Sequence, residues 1–322
     1  MQAIQFDSYG PPGVLRLVTL PSPHAGPGEV RVRLLAAGVA PFDAKLRAGM
    51  LQAHFKPELP KMPGRDGVGV VDQVGGGVAG VAVGDAVCVM ADPFSGTYAE
   101  MVVCTVGRVV PRPGGLSLHQ AAALMQPGNS AWIAVMETAQ VTAGMQVLVH
   151  GGAGAVGSLM VQLCKYLGAD VSATCRAGNE DYVMGLGAAR AIAYDRDDFG
   201  TLRDQDAVFD LIGGATHARS YPVLRKGGQL VYLTAAPIVD QGSAFGVKVS
   251  RAMISDQPKV LVEVARLAAE GIFRPRVAGV FSLSDAAKAH AALESGQVTR
   301  GRLVLDIESA ETVSLSPEFG LS

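Results

Sequence analysis

The stretch VLVHGGAGAVGSLMVQLCKYLGADVSATCR, residues 147–176, constrains this chain more than any other. A β-branched run enters a cluster of glycines, an apolar segment with helical spacing follows, and a second β-rich run closes it. Within it, Gly152-Ala153-Gly154-Ala155-Val156-Gly157 has the spacing Gly-x-Gly-x-x-Gly. The first glycine permits a tight turn, the second lets backbone approach a pyrophosphate, and the third lets helix and strand pack closely. Amides at the helix start then face the phosphate charge. Glycine-rich turns are common, so the flanking strand, helix and second strand are what make this pattern a dinucleotide site. The spacing predicts a strand over 146–151, a helix over 155–167 and a strand over 170–175.

The end of that second strand discriminates between cofactors. A site for NAD places Asp or Glu there, on the ribose 2′-hydroxyl. This chain has Thr174-Cys175-Arg176 instead. An acid would repel a 2′-phosphate, whereas a guanidinium forms charge-assisted hydrogen bonds with it, so Arg176 points to NADPH. Glu180 and Asp181 are close enough in sequence to compete for it.

The same alternation continues downstream. A short helix near 180–186, strands at 190–194, 207–213 and 228–234, a helix ending near Gly227 and a helix over 257–271 imply a parallel sheet covered on both faces. The first 125 residues read differently. EVRVRLLAAGV, GVGVVDQVG, DAVCVMA and TYAEMVVC are short strands between Gly, Pro and Asp, which suggests a barrel-like or sandwich domain. Ser117 can cap a short helix, and Asn129 or Ser130 offers a second helix start. RGRLVLDI reads as a final strand, and no internal repeat is evident. The polar tail after Ile307 has no periodicity.

Composition narrows the function classes. The chain has 322 residues, 49% of them hydrophobic, which fills two cores; 27 basic against 29 acidic residues give a net charge of −2. No Lys/Arg block of the kind that grips nucleic acid appears. The most apolar stretch, VGVVDQVGGGVAGVAVGDAVCVM, is broken by acids and glycines and cannot span a bilayer as a helix. The N-terminus lacks a basic segment followed by an apolar core, so no signal peptide is expected. Cys88, Cys104, Cys164 and Cys175 are far apart, which suits reduced thiols in a cytoplasm.

Taken in order, GPGEVRVRLLAAGVAPFDAKLRAG (26–49), PGRDGVGVV (63–71), VGDAV (83–87), SAW (130–132), VHGGAGAVG (149–157) and RGRLVL (300–305) show what the chain is similar to. It resembles the zinc-independent quinone oxidoreductase branch of the medium-chain dehydrogenase/reductase superfamily over about 300 residues. The resemblance implies an α/β architecture: a GroES-like β-rich catalytic domain over 1–125, completed by 265–322, and a Rossmann doubly wound domain over 126–264. It also implies a cofactor in the cleft between them and a homodimer formed through the Rossmann sheet edge.

Zinc-dependent relatives place Cys, His and acidic ligands near GVAPFDAK. Here Ala40, Pro41 and Phe42 stand in that region, and none of His24, His54, His119, His150, His217 and His290 has a nearby Cys or His. No metal is therefore expected. Motif matching puts Ser130 near the cofactor carboxamide, with Leu211-Ile212-Gly213 and Leu233-Thr234-Ala235 passing the nicotinamide and its ribose. Tyr194 matches a tyrosine near the adenosine phosphate. Phe42, Asp43 and Phe55 are the candidate acceptor-pocket residues, and Met50, Met62 and Met125 are apolar enough to join them.

Several assignments stay open. Asp43 and Lys45 both lie in the substrate-side loop, and Asp43 is as well suited to fixing that loop by hydrogen bonds. Arg65-Asp66 reads as an internal pair, His150 as a packed histidine, and Arg302 as a solvated side chain or a phosphate contact. No catalytic proton donor is assigned. The expected activity is metal-free hydride transfer from NADPH to a quinone or an activated alkene such as an enone or 2-alkenal. Ala40 replaces an asparagine usual in the family, so an NADPH-binding protein with little turnover is the alternative.

Overall fold

The computed structural model describes residues 1–53, 55–92, 95–233 and 238–307. Six strands form a parallel sheet in the spatial order Arg190–Ala193, Asp170–Cys175, Gln146–Val149, Gln205–Asp210, Leu224–Tyr232, Lys248–Arg251. Numbered along the chain, that is the order 3-2-1-4-5-6 of a Rossmann sheet, whose direction of winding reverses beside its first strand. The expected strand over 170–175 and helix over 155–167 match the observed Asp170–Cys175 and Ala155–Tyr166. Val147, Leu148 and Val149 are fully buried, as a strand covered on both faces requires.

A second sheet has seven strands, in the order Val277–Ser282, Arg302–Asp306, Glu29–Gly38, Asp66–Val74, Ala86–Met90, Val109–Pro111, with Met101–Thr105 also paired to Glu29–Gly38. Its pairings are antiparallel except that between the last two strands of the chain. Arg302–Asp306 inserts beside Glu29–Gly38, which brings the end of the chain back to its beginning. The chain is thus a mixed α/β protein with a GroES-like sheet domain and a Rossmann-like domain. One continuous apolar cluster, running from Val68 and Met90 through Met125 to Val149 and Phe209, joins the two sheets.

Helix Pro258–Ala269 packs on helix Met125–Trp132 through Val260, Leu261, Val264 and Leu267, spaced as one apolar helix face. A Cβ added to Gly128 would lie 2.6 Å from Val264 Cγ1, so glycine sets how closely the two helices approach.

Two helix boundaries differ clearly from the sequence expectation. The helix expected to start at Asn129 or Ser130 begins at Met125 and continues as π-helix over Ile133–Thr138. Its first turn is capped from outside: the amide of Gln126 donates to Asp66 Oδ2 at 2.8 Å, a partner 60 residues away. The helix expected to end near Gly227 ends at Ser220, and a 3-10 turn over Tyr221–Val223 leads into Leu224–Tyr232, so Gly227 lies inside a strand. Ser117 caps Leu118–Ala122 as expected, in a reciprocal box with Gln120.

Candidate active site

A cleft of about 730 Å³ opens where the winding of the parallel sheet reverses, between that sheet and the start of helix Pro41–Arg47. One wall is the glycine turn. Gly151 has φ +72° and its carbonyl folds back against the helix, so a Cβ on Gly157 would collide with it. A Cβ on Gly152 would lie 2.7 Å from Ala173 Cβ, which makes Gly152 a packing position below the cleft rather than part of its lining. Gly154 begins the helix without a side-chain cap, and Ala153 to Gly157 line the cleft. The free amides of that first helical turn therefore face open space, where a bound anion would be held. Gly301 anchors the turn from the other domain, its amide donating to the Ala153 carbonyl at 2.9 Å.

The far end of this wall carries Arg176 and Tyr194, both exposed and both lining the cleft. Glu180, expected as a competitor for Arg176, pairs with Arg196 instead. The Arg176 side chain has no hydrogen-bond or ion-pair partner among the described residues. At the other end lie Ser130, Leu211, Ile212 and Leu233. Asp210 shapes the turn carrying two of them: its carboxylate accepts from the amides of Ile212 at 2.9 Å and Gly213 at 2.8 Å, and from His217 Nδ1 at 2.8 Å. Gly213 itself does not line the cleft. Thr234 and His54 lie outside the described residues.

The opposite wall contains Val39, Ala40, Pro41, Phe42, Lys45 and Leu51. Phe42 lines it, with Phe55 packed behind at 6.1 Å between ring centroids. Phe55 does not line the cleft, and neither does Asp43, Met50, Met62 or Met125. Asp43 is buried and fixes the loop: its carboxylate accepts from Ala40 N at 3.0 Å and Gly64 N at 3.1 Å. Burial pushes its pKa up to about 6, against the lowering effect of Arg302 and those two amides.

The polar floor of the cleft was legible only as hints. Arg302 is neither solvated nor left free for a phosphate. It forms a buried two-pronged pair with Asp66 at 2.6 and 2.7 Å, and also donates to Gln126 Oε1 at 2.8 Å and the Val39 carbonyl at 3.1 Å. Gly38 is the position that admits it, since a Cβ there would occupy the space of the guanidinium. Arg65 does not pair with Asp66 but with Asp256, which also binds Arg108 at 2.9 Å. Asn129 ties in the same segment by donating to the Ser255 carbonyl at 3.1 Å, while its own Oδ1 is buried with no partner among the described residues. An arginine on a strand as apolar as LVLDI, and an acid opening one as apolar as GVGVV, were the legible hints of a buried pair. His150 is packed as expected, between Thr174 Oγ1 at 3.2 Å and Ser220 Oγ at 3.0 Å.

Comparison with known proteins matches this geometry. Residues 26–114 match the model of the alcohol dehydrogenase GroES-like domain, and residues 186–305 that of the zinc-binding dehydrogenase family. The chain is 32% identical over 318 residues to the 2-methylene-furan-3-one reductase of Solanum lycopersicum, covering 95% of this chain and 79% of that one. The quinone oxidoreductase of Coxiella burnetii superposes with a TM-score of 0.85 at 32% identity, over 96% of this chain and 99% of the other. The Escherichia coli quinone oxidoreductase, solved with NADPH, gives a TM-score of 0.87 at 26% identity over 95% and 100%. On this evidence of sequence, sheet order and glycine turn, the chain belongs to the quinone oxidoreductase branch of the medium-chain dehydrogenase/reductase superfamily.

Proposed function

We propose that this protein is an NADPH-dependent reductase of quinones and activated alkenes, working without a metal ion. The observation that carries the reading is the cleft itself: an uncapped helix start framed by glycines on one wall, and an apolar wall of Pro41, Phe42 and Leu51 facing it. Relatives named as a quinone oxidoreductase and a methylene-furanone reductase support both acceptor classes, since each acceptor takes hydride into a conjugated system. The domain division proposed is 1–125 with 265–322, and 126–264 between them.

The glycine turn fits a dinucleotide. Ala153–Gly157 would hold the diphosphate, Ser130, Leu211 and Leu233 the nicotinamide end, and Tyr194 the adenosine end. When bound, the cofactor supplies a hydride to the acceptor's conjugated system, and a proton from solvent or a side chain completes the reduction. The side chains of Phe42 and Leu51 orient the acceptor and keep water away. Arg176, unpaired and at the end of Asp170–Cys175, supports NADPH over NADH, because a 2′-phosphate would satisfy it.

A zinc ion does not fit the residues present. Ala40, Pro41 and Phe42 offer no ligand atoms, and among the described residues no three His, Cys, Asp or Glu side chains converge. The four cysteines are buried and unpaired, which supports a reducing compartment such as the cytoplasm. Edge strand Lys248–Arg251 is the proposed homodimer contact. No helix among the described residues is long and apolar enough to cross a membrane.

The test is oxidation of NADPH and NADH by chelator-washed protein, offered a quinone, an enone and a simple aldehyde. Turnover of quinone or enone with NADPH preferred is expected. Tight NADPH binding without turnover of any acceptor would favour a non-catalytic binding protein.

A further inference from the structure

Among the described residues, five charged side chains line the cleft: Lys45, Arg65, Arg176, Asp256 and Arg302. Most of this charge is matched within the protein. Arg302 is neutralised by Asp66, and the pair of Arg65 and Arg108 by Asp256 and Asp92. Two cations remain, at opposite ends. Arg176 belongs to the adenosine end. Lys45 stands on the other wall, beside Phe42 and Leu51, and its ammonium has no hydrogen-bond or ion-pair partner among the described residues.

That isolation is informative. Lys45 lies on helix Pro41–Arg47, half-buried, and its neighbour Asp43 spends its carboxylate on two backbone amides rather than on it. The wall around its ammonium is apolar, and the described residues supply it no counter-charge. The same low-polarity surroundings strengthen its attraction for any anion that enters. Arg47, two residues on, shows the usual alternative: it is buried, but paired with Glu294. Lys45 is the cation that the acceptor wall leaves for a ligand.

We propose that the preferred acceptor carries a carboxylate, which Lys45 binds while the conjugated carbon–carbon bond lies against Phe42. This rests on the reductase reading of the cleft and narrows it to anionic quinones and anionic enones. Lys45 acts here as a specificity-determining residue.

The test compares the acid and the methyl ester of 4-oxopent-2-enoate as acceptors with NADPH, in the wild type and in Lys45→Met and Lys45→Arg. The expected result is a kcat/KM ratio of acid to ester of about ten to a hundred, the size of one charge-assisted hydrogen bond. That ratio collapses towards one in Lys45→Met and is largely kept in Lys45→Arg. Lys259→Met, which removes an exposed charge paired with Glu137 outside the cleft, leaves it unchanged. Calorimetric binding of 4-oxopentanoate against its methyl ester repeats the comparison without any turnover. If neither acceptor is reduced but 4-oxopentanoate binds through Lys45, the reductase reading fails and the anion site stands. If both acceptors are reduced with a ratio indifferent to Lys45, the anion site is overturned and the reductase reading stands. A loss of NADPH affinity in Lys45→Met with an unchanged ratio also overturns it, placing Lys45 on the cofactor's diphosphate.

Discussion

The two walls of the cleft are built by opposite means. The glycine wall is mostly local: seven consecutive residues, Gly151–Gly157, set its geometry largely through close backbone clearance. The acceptor wall and floor are assembled from afar, with Gly38, Asp66, Gln126 and Arg302 meeting at one buried pair. A local wall tolerates change around it but not within it. An assembled wall depends on charges that are harmless together and costly apart.

Breaking the assembled wall gives the largest effect. Asp66→Ala leaves the Arg302 guanidinium buried without a counter-charge and removes the cap on helix Met125–Trp132. A loss of about 3–5 kcal/mol in urea unfolding is expected. Replacing both partners, Asp66→Leu with Arg302→Met, recovers most of that loss, because a matched apolar pair has no stranded charge. Equal losses in the single and double variants would show that the pair does not hold the wall.

Breaking the local wall acts on ligand rather than on fold. Gly157→Ala forces its Cβ against the Gly151 carbonyl and displaces the turn. Overpacking of this kind costs about 1–3 kcal/mol, and NADPH affinity measured by fluorescence titration falls by about tenfold or more. Arg176→Ala sharpens the contrast at the same wall, weakening NADPH by about ten- to a hundredfold while leaving NADH nearly unchanged. An equal loss for both cofactors would remove Arg176 from the 2′-phosphate.

A pH series separates the walls in another way. His150, beside the glycine wall, and His290, behind the acceptor wall, are each lowered by burial from 6.5 to about 4. Each binds a proton more readily unfolded than folded over that window. Their contribution is therefore complete above pH 6.5 and is lost as pH falls towards 4. Asp43 has the opposite sign. Its folded pKa is raised from 3.8 to about 6, so its contribution is complete below 3.8 and is lost as pH rises to about 6. With two histidines against one carboxylate, stability rises from pH 4 to 6.5. His150→Asn flattens that slope in thermal melts, while Asp43→Asn steepens it. The smallest expected effect lies outside both walls: Ser117→Ala removes a helix cap for about 1 kcal/mol.

The same contrast explains what could be read without coordinates. Asp170–Cys175 and Ala155–Tyr166 were legible almost to the residue, because periodicity and the glycine spacing are local signals. The family motifs placed Ser130, Tyr194, Leu211 and Leu233 on the cleft and the end of the second strand placed Arg176 there, and all five line it. Gly152, Gly213, Asp43 and Phe55 support the lining from behind instead. The start of helix Met125–Trp132 was missed because its cap is Asp66, remote in sequence. Arg302 was misread for the same reason: RGRLVL hints at a buried charge, but its partner Asp66 and the glycine at 38 that admits it are remote in sequence. The isolation of Lys45 follows from what every neighbouring acid is doing, which only the assembled structure displays.

The proposed reaction is hydride transfer across this cleft from NADPH to a conjugated acceptor. NADPH deuterated at the transferable C4 position, incubated with the protein and an enone, tests it most directly. One deuterium is expected on the β-carbon of the reduced product, read by mass spectrometry and NMR, and no such product is expected with Gly157→Ala at limiting NADPH. Tight NADPH binding with neither label in an enone product nor NADPH oxidation by a quinone would rule it out.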